Sequence, residues 1–553
     1  MANLTYAETL VDLYNRMKGR RQNWETQWQS LHDYFYIESE DITSKQAEGT
    51  RLNANYIYEA TTLDAADVLA SGFMNYLTPP TSRWMRLTHR DPKLQMNKNV
   101  SDYLEDVTDV VHQTLNQSNF YNQMYSTYKA SGVYGTSFLY QEEDINDGVR
   151  FYSMPCQQCI IVDNAAQRPD KFFIEFEYYP SQAAGKFGLE NLSTKLQEEM
   201  GKDNGQGADS KKHKFLLYIA QRSVRDVTKS DKGNLPIEAV WIELDAKKIV
   251  DESGYHEMPV MAHRFDKRPF VEWGYGPAWK ALPFARTLAA IAKTNLRMMM
   301  KHTDPPQAIP NNAFVMPFNQ NPRAVNYYDP SKMKGGQKDI FSFGNDGDPV
   351  AGMNMLEYYT GQVSKMMYND VFLAFNQLTK QMNNPEVAER IAEKMTILGP
   401  SVGRFISDMI SPTVIRTVSI LYRTGRIGEP PAEMLENPSY DVVATSQLAQ
   451  AQKRSELNAL LTGLQIAGQV AQFKPELLDR INGDRVLKEA WNIVGSPSTV
   501  LNSDDEVEAI REARALIAQQ QQQMNLAQQG ADVVEKGSKA DMNVSKSQEA
   551  VNV

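Results

Sequence analysis

The sequence predicts an α+β protein, mainly helical, and three observations carry that prediction. Helical periodicity fills most of the first 120 residues. Between about 130 and 270 it gives way to short β-branched and aromatic runs broken by turns. Past residue 280 the helical pattern returns and continues into the tail. A helical layer followed by a β-rich part is the α+β arrangement. The 553 residues exceed one core, and about 150 residues per domain suggests three or four units.

Residues 5–36 read as one long helix with Tyr6, Leu10, Leu13, Tyr14, Trp24, Trp28, Leu31 and Tyr34 along it. Residues 58–78 form a second, closed by Thr78-Pro79-Pro80, because proline lacks an N–H and restricts the residue before it. VSDYLEDVTDVVHQTLNQSNF (100–120) is a third, amphipathic helix. The strand candidates are TSFLYQEE, VRFYSM, CIIVDN, KFFIEFEYY, HKFLLYIAQRSV and EAVWIELDAKKIV, with a polar loop at 201–214.

Gly274 and Gly276 mark a turn before a helix expected over 283–303, with Pro283 in the first turn, where its missing N–H costs nothing. At about 100° per residue, Arg286, Lys293, Arg297 and Lys301 fall within roughly 80° of arc. Phe284, Leu288, Ile291, Ala292 and Met299 lie on the opposite face. Asp304-Pro305-Pro306 ends the helix. Residues 307–348 contain four prolines and read as strands and loops, and a second helix is expected over about 351–375. A polar break, NQLTKQMNN (376–384), precedes a long helical region at 385–424, which GEPP (428–431) stops. Residues 443–493 read as helical again. In the tail, Ile510, Ala513, Ile517, Gln520, Met524, Ala527, Ala531 and Val534 follow a period of 3.5, the supercoil signature. The seam is weak, so the tail is either one strand of a helical assembly or a loosely helical, flexible end.

Charge and motifs narrow the function. The formal net charge is −10, whereas tight non-specific nucleic-acid binding calls for a basic excess. No run approaches 18 apolar residues, so no membrane span is expected, and the N-terminus lacks a secretory signal. Two cysteines make no disulfide framework and fit a reducing compartment. GPSVG (399–403) matches the nucleophile-elbow pattern around Ser401, but that elbow needs a strand before the serine, and EVAERIAEKMTIL is helical. Cys156 and Cys159 form a C-x-x-C without a second pair for zinc or a βαβ setting for redox work, so buried inert thiols are expected. No Walker A sequence is present. The residues point to no catalytic group, cofactor or metal.

The order of parts resembles the portal (head-to-tail connector) proteins of podovirus-like bacteriophages, over nearly the whole chain up to about residue 431. The similarity rests on YEATTLDAADVLASGFMNYLTPPTSRWMRL (58–87), SNFYNQMYSTYKASGVYGTSFLYQEE (118–143), RPFVEWGYGPAWKALPFARTLAAIAKTNLRMMMKHTDPPQAIPNN (268–312) and the segment 382–431. No one of these is as specific as a metal-ligand set; their collinear order carries the resemblance.

The resemblance implies a portal fold. Its wing would be 1–280 (helices plus a β-rich part), its first stem helix 281–303, its clip 304–350 and its second stem helix 351–375. The tunnel loop would be 376–384, the wing-to-crown helix and connection 385–442, the crown 443–503 and a C-terminal helical barrel or flexible tail 504–553. It further implies a dodecamer at a unique capsid vertex, in the virion and, during assembly, in the host cytoplasm. Double-stranded DNA would pass through it without sequence recognition. Partners would be the terminase large subunit, tail adaptor proteins, and the major capsid and scaffolding proteins. The basic stripe of Arg286, Lys293, Arg297 and Lys301 would face the channel, a neighbouring subunit or solvent. Gln377, Lys380, Gln381, Asn383 and Asn384 would be polar tunnel-loop contacts to DNA. Lys332, Lys334 and Lys338 would sit at the clip tip, for motor or tail docking or as plain loop lysines. A non-portal nucleic-acid-handling scaffold and a thiol or serine enzyme are the competing readings. The first predicts salt-sensitive DNA affinity from the soluble protein; the second predicts activity lost with Cys156, Cys159 or Ser401.

Overall fold

The computed structural model describes residues 5–44, 56–95, 97–201, 211–226, 228–229, 231–303, 307–308, 327, 329, 341–342, 348–373, 398–435, 439–445, 459–470, 481–494, 502 and 506–521. The tunnel-loop residues Gln377, Lys380, Gln381, Asn383 and Asn384, the clip-tip lysines Lys332, Lys334 and Lys338, and most of the predicted barrel lie outside them. The chain divides into two compact units. One comprises residues 1–86, 108–428 and 442–481, the other residues 87–107, 429–441 and 482–553.

The larger unit begins with α1 (Tyr6–Phe35). Thr5 caps it, its hydroxyl accepting from the Glu8 N–H while the Glu8 carboxylate accepts from the Thr5 N–H, a capping box. In chain order α2 (Thr61–Leu77) and β1 (Met85–His89) follow, then α3 (Pro92–Gln95), which belongs to the smaller unit, and α4 (Lys98–Gln117), whose residues the two units share, and α5 (Phe120–Tyr134) leads into the β-rich part. There β2 (Thr136–Asp144) pairs antiparallel with both β3 (Gly148–Met154) and β9 (Val260–Arg264). A second antiparallel sheet runs in simple sequence order through β4 (Cys159–Asp163), β5 (Pro169–Tyr178), β6 (His213–Gln221), β7 (Ile237–Glu243) and β8 (Lys248–Tyr255). Two short helices, α6 (Pro180–Phe187) and α7 (Thr194–Gly201), interrupt it between β5 and β6.

The period of two along the strands sorts the core. Phe173, Leu216, Tyr218, Ala220, Val240 and Ile242 turn to one face and bury Ala7, Leu10, Val11 and Tyr14 of α1. Phe176, Tyr178, Phe215 and Trp241 turn to the other, where Tyr178, Phe215 and Trp241 meet Phe187 of α6 and Phe176 packs on Tyr178 and Trp241. The far half of α1 closes an aromatic knot, with Trp28 packed edge-on to Trp273 at 4.8 Å and Trp24 against Tyr275 and Trp279.

Gly274 and Gly276 do more than turn the chain. Gly135 ends α5 in a left-handed conformation at φ 86°, and a Cβ there would strike Gly274 and the Gly276 amide. Only glycines let these two backbones approach so closely.

α8 (Pro277–Thr303) starts at Pro277, not in the turn around Pro283. Pro277 takes the first helical position, so Pro283 lies inside the helix and forgoes one backbone bond. β10 (Gln307–Ala308) and β11 (Phe341–Ser342) pair antiparallel. α9 (Pro349–Met366), capped by Asp348, is shorter than the expected 351–375. Tyr368, with φ 60°, breaks it before a helical turn at 369–373. Residues 398–423 are helical with a π turn at Ile406–Ile410. This helix ends at Arg423, because Gly425 with φ 69° supplies the left-handed exit, not because of the later GEPP.

The smaller unit holds the helix Gly483–Val494 and a helix over 506–521. Arg511 pairs with Asp484 at 2.7 Å, Lys98 with Glu506 at 3.0 Å and Arg90 with Asp441 at 2.7 Å. The helical reading of 443–493 is corrected at its start, where β12 (Tyr440–Ala444) pairs with β1. The Val-Val pair in YDVVA, β-branched and isolated from helical periodicity, favours strand.

Candidate functional site

The two helices α8 and α9 pack as an antiparallel hairpin. Phe284 meets Tyr359 with ring centroids 6.2 Å apart near one end, and the Asn295 amide donates to the Gly352 carbonyl at 2.8 Å near the other. Gly352 is required there, since a Cβ would strike the Asn295 side chain. Leu288 and Ala292 are buried on this face, as the apolar stripe predicts. Met299 is not: it is 51% exposed in the isolated chain, and Leu296, Met300, Val350, Met353, Met355 and Tyr358 are exposed with it.

The basic stripe turns away from α9 and divides in two. Arg286 and Lys293 line a groove of about 650 Å³ with Tyr34, Tyr56, Tyr58, Ala289 and Ala290. The Lys293 ammonium lies 5.2 Å from the Tyr58 ring centre, a cation–π distance. Tyr34 and Tyr56 stand 5.9 Å apart. Burial pushes the Tyr34 hydroxyl up, against the opposing charge of Arg286. Arg297 and Lys301 lie further along α8, exposed and outside the groove. Among the described residues none of the four cations has a carboxylate within ion-pair distance. The small side chains of Ala289 and Ala290 keep the groove open, and the tyrosines come from residues remote in sequence. A stripe is legible from helical spacing; a groove built by Tyr34, Tyr56 and Tyr58 is not.

The thiols behave as expected. Cys156 and Cys159 are fully buried. Burial pushes the Cys156 thiol up to about 12 and Cys159 well above its ordinary value, and Cys156 Sγ donates to the Thr136 carbonyl at 2.9 Å. The buried Arg21 guanidinium caps this corner by donating to the Cys159 carbonyl at 2.5 Å. Neither sulfur has the thiolate character that nucleophilic chemistry needs. Ser401 lies within a helix rather than on a strand-to-helix elbow. His32, Asp33 and Asp41 cluster, but the Gln29 amide donates to Asp33 at 2.8 Å and to Asp41 at 3.1 Å. Its oxygen accepts from the Ile42 and Thr43 N–H groups, which fixes its orientation. The carboxylates are already engaged by this amide.

Buried charge elsewhere is structural. Glu175 on the α1 face of the sheet would be raised by burial alone. Hydrogen bonds from Lys214 and from the Tyr14 hydroxyl (2.5 Å), with Lys18 at 3.3 Å, reverse that and hold it at about 2. Lys129 of α5 ties α2 to the segment after α1 through Asp67 at 2.6 Å and Glu38 at 3.0 Å, under the Tyr36 ring. Arg264 and Lys267 converge on Asp163 at 2.7 and 2.6 Å. Single-sequence patterns gave no signal for these nodes, because each joins residues far apart in the chain.

The fold is a mixed helical and β-sheet chain that carries an exposed two-helix hairpin. The model of the bacteriophage head to tail connecting protein family matches residues 7–501, and the chain belongs to that family. It is 27% identical over 533 residues to the portal protein of Salmonella phage epsilon15, covering 95% of this chain and 94% of that one. It is also 27% identical over 541 residues to a probable portal protein of Bordetella phage BPP-1, covering 97% and 96%. A chain from the virion of a native gene transfer agent particle aligns over 76% of this chain and 91% of its own at 10% identity. The TM-score of that alignment is 0.30, too low to bear on the fold.

Proposed function

We propose that this chain is a phage portal protein: a ring-shaped channel at one capsid vertex through which double-stranded DNA is packaged and later ejected. The observation that carries the reading is the collinear similarity to two portal proteins along almost the whole chain. The ring is a dodecamer in the virion, assembled in the host cytoplasm. It contacts the major capsid and scaffolding proteins, docks the terminase large subunit during packaging and tail adaptors afterwards. Its role is structural rather than catalytic.

In this reading α8 and α9 are the stem, residues 304–350 the clip, 376–384 the tunnel loop, 443–503 the crown and 504–553 a helical barrel. The chain's acidic balance suits a channel, since a negative wall repels phosphate and lets DNA slide. Met at the exposed stem positions suits an interface that slides, being unbranched and adaptable. Gln377, Lys380, Gln381, Asn383 and Asn384 would touch DNA, and Lys380→Glu should change DNA retention in packaged heads. Lys332, Lys334 and Lys338 would meet the motor or tail. The test of the reading is imaging of the purified protein by negative-stain electron microscopy with native mass, which should show closed rings with an axial hole.

A further inference from the structure

We infer that the tyrosine groove on α8 receives the outer face of α9 from the next copy of this chain, with Glu357 of one copy set against Arg286 and Lys293 of the other. The inference rests on the portal reading and names the partner of its stem.

The geometry of the hairpin supplies the argument. α8 and α9 bury their facing sides against each other, so their outer sides look in opposite directions. A ring closes through one heterologous interface, which requires two different, complementary patches on opposite sides of each copy. The outer side of α8 offers the groove: two cations, three tyrosines and a floor of Ala289 and Ala290. Arg286 and Lys293 are seven residues apart, about 10 Å along the helix. The outer side of α9 offers Val350, Met353, Glu357 and Gly361, spaced at 3, 4 and 4 residues and so on one stripe, with Tyr358 beside it. Val350, Met353, Glu357 and Tyr358 are exposed. Glu357 is the only acidic residue of α9, and among the described residues it has no cation within ion-pair distance.

Height matches as well. Phe284 lies opposite Tyr359 and Asn295 opposite Gly352, so descending α9 is ascending α8. Glu357 therefore stands level with the stretch between Arg286 and Ala290. Rotation about a ring axis parallel to the hairpin adds no rise, so Glu357 of one copy arrives at the level of the groove in the next. Met353, one turn away, arrives near Lys293 and Tyr58, where an adaptable side chain can fill the groove. Both natural cysteines are buried, which leaves the surface clear for engineered ones.

The test is charge reversal in the full chain, read by native mass and negative-stain imaging at matched concentration, with circular dichroism confirming the fold. Glu357→Arg and Arg286→Glu should each cut ring yield by about tenfold or more, because like charges then meet at every interface. The double variant should restore rings. Mixing Glu357→Cys protein with Ala290→Cys protein under mild oxidation should give cross-linked pairs that neither variant forms alone. Rings indifferent to both reversals, or a double variant that stays unassembled, would overturn this interface while leaving the portal reading intact. An effect of Arg286→Glu without one of Glu357→Arg would assign the groove to another anionic occupant, such as DNA, and overturn it too. Wild-type protein that never forms rings would remove the portal reading and this inference together.

Discussion

The α1-and-sheet region and the exposed surface of the α8–α9 hairpin are built on opposite principles. In the first, Trp28, Leu31 and Phe35 are fully buried, and every described buried carboxylate or ammonium has partners: Glu175 has Tyr14, Lys18 and Lys214, and Lys129 has Asp67 and Glu38. In the second, methionines, a tyrosine and a valine face outward and four cations lack carboxylate partners among the described residues. The first region pairs these buried charges within one chain. The second carries chemistry that a single chain leaves unused, as expected of a surface completed by assembly.

Four measurements would break or sharpen that contrast, taken from the largest effect to the smallest. Trp28→Ala empties a site enclosed by Trp24 and Trp273 and should cost about 3–5 kcal/mol in denaturant unfolding; a loss under 1 kcal/mol would mean the knot is not a stability centre. Acid titration comes next. The Glu175 carboxyl is held at about 2 in the folded chain, below its unfolded value. Its contribution is therefore complete above about pH 4.5 and is lost as pH falls through about 2. That contribution is on the order of 2–3 kcal/mol. Glu175→Gln should remove this part of the acid dependence, and an unchanged profile would refute the assignment. Lys129→Ala leaves Asp67 and Glu38 facing each other and should cost about 2 kcal/mol, with Lys129→Met costing less. At the bottom of the scale, Met299→Ser with Met353→Ser should change single-chain stability by about 0.5 kcal/mol or less, as surface substitutions do, while lowering ring yield. A large stability loss from that pair would place those methionines in the chain's own core.

The same contrast explains what the sequence revealed. Long helices were legible because α1, α2 and the amphipathic α4 carry their periodicity locally. The strands were legible from KFFIEFEYY and HKFLLYIAQ, where alternation and β-branching agree. Boundaries were not. Pro283 suits a helix start because proline fits a first turn, yet Pro277 already occupies that position. The α8 end at Thr303 and the strand β12 show the two outcomes: Pro305 and Pro306 announce a stop, whereas YDVVA is too short to overcome its helical surroundings. Of the candidate site, the basic stripe followed from helical spacing alone. The tyrosines that turn Arg286 and Lys293 into a groove come from the end of α1 and the segment after it, and only tertiary structure brings Tyr34, Tyr56 and Tyr58 to α8.

The central claim is that this chain closes into a ring around a channel, and the most direct measurement is negative-stain electron microscopy of the purified protein with native mass of the same sample. The account predicts closed rings, twelve-fold or of a neighbouring symmetry, with an axial hole. Compact monomers that stay monomeric on concentration would contradict it.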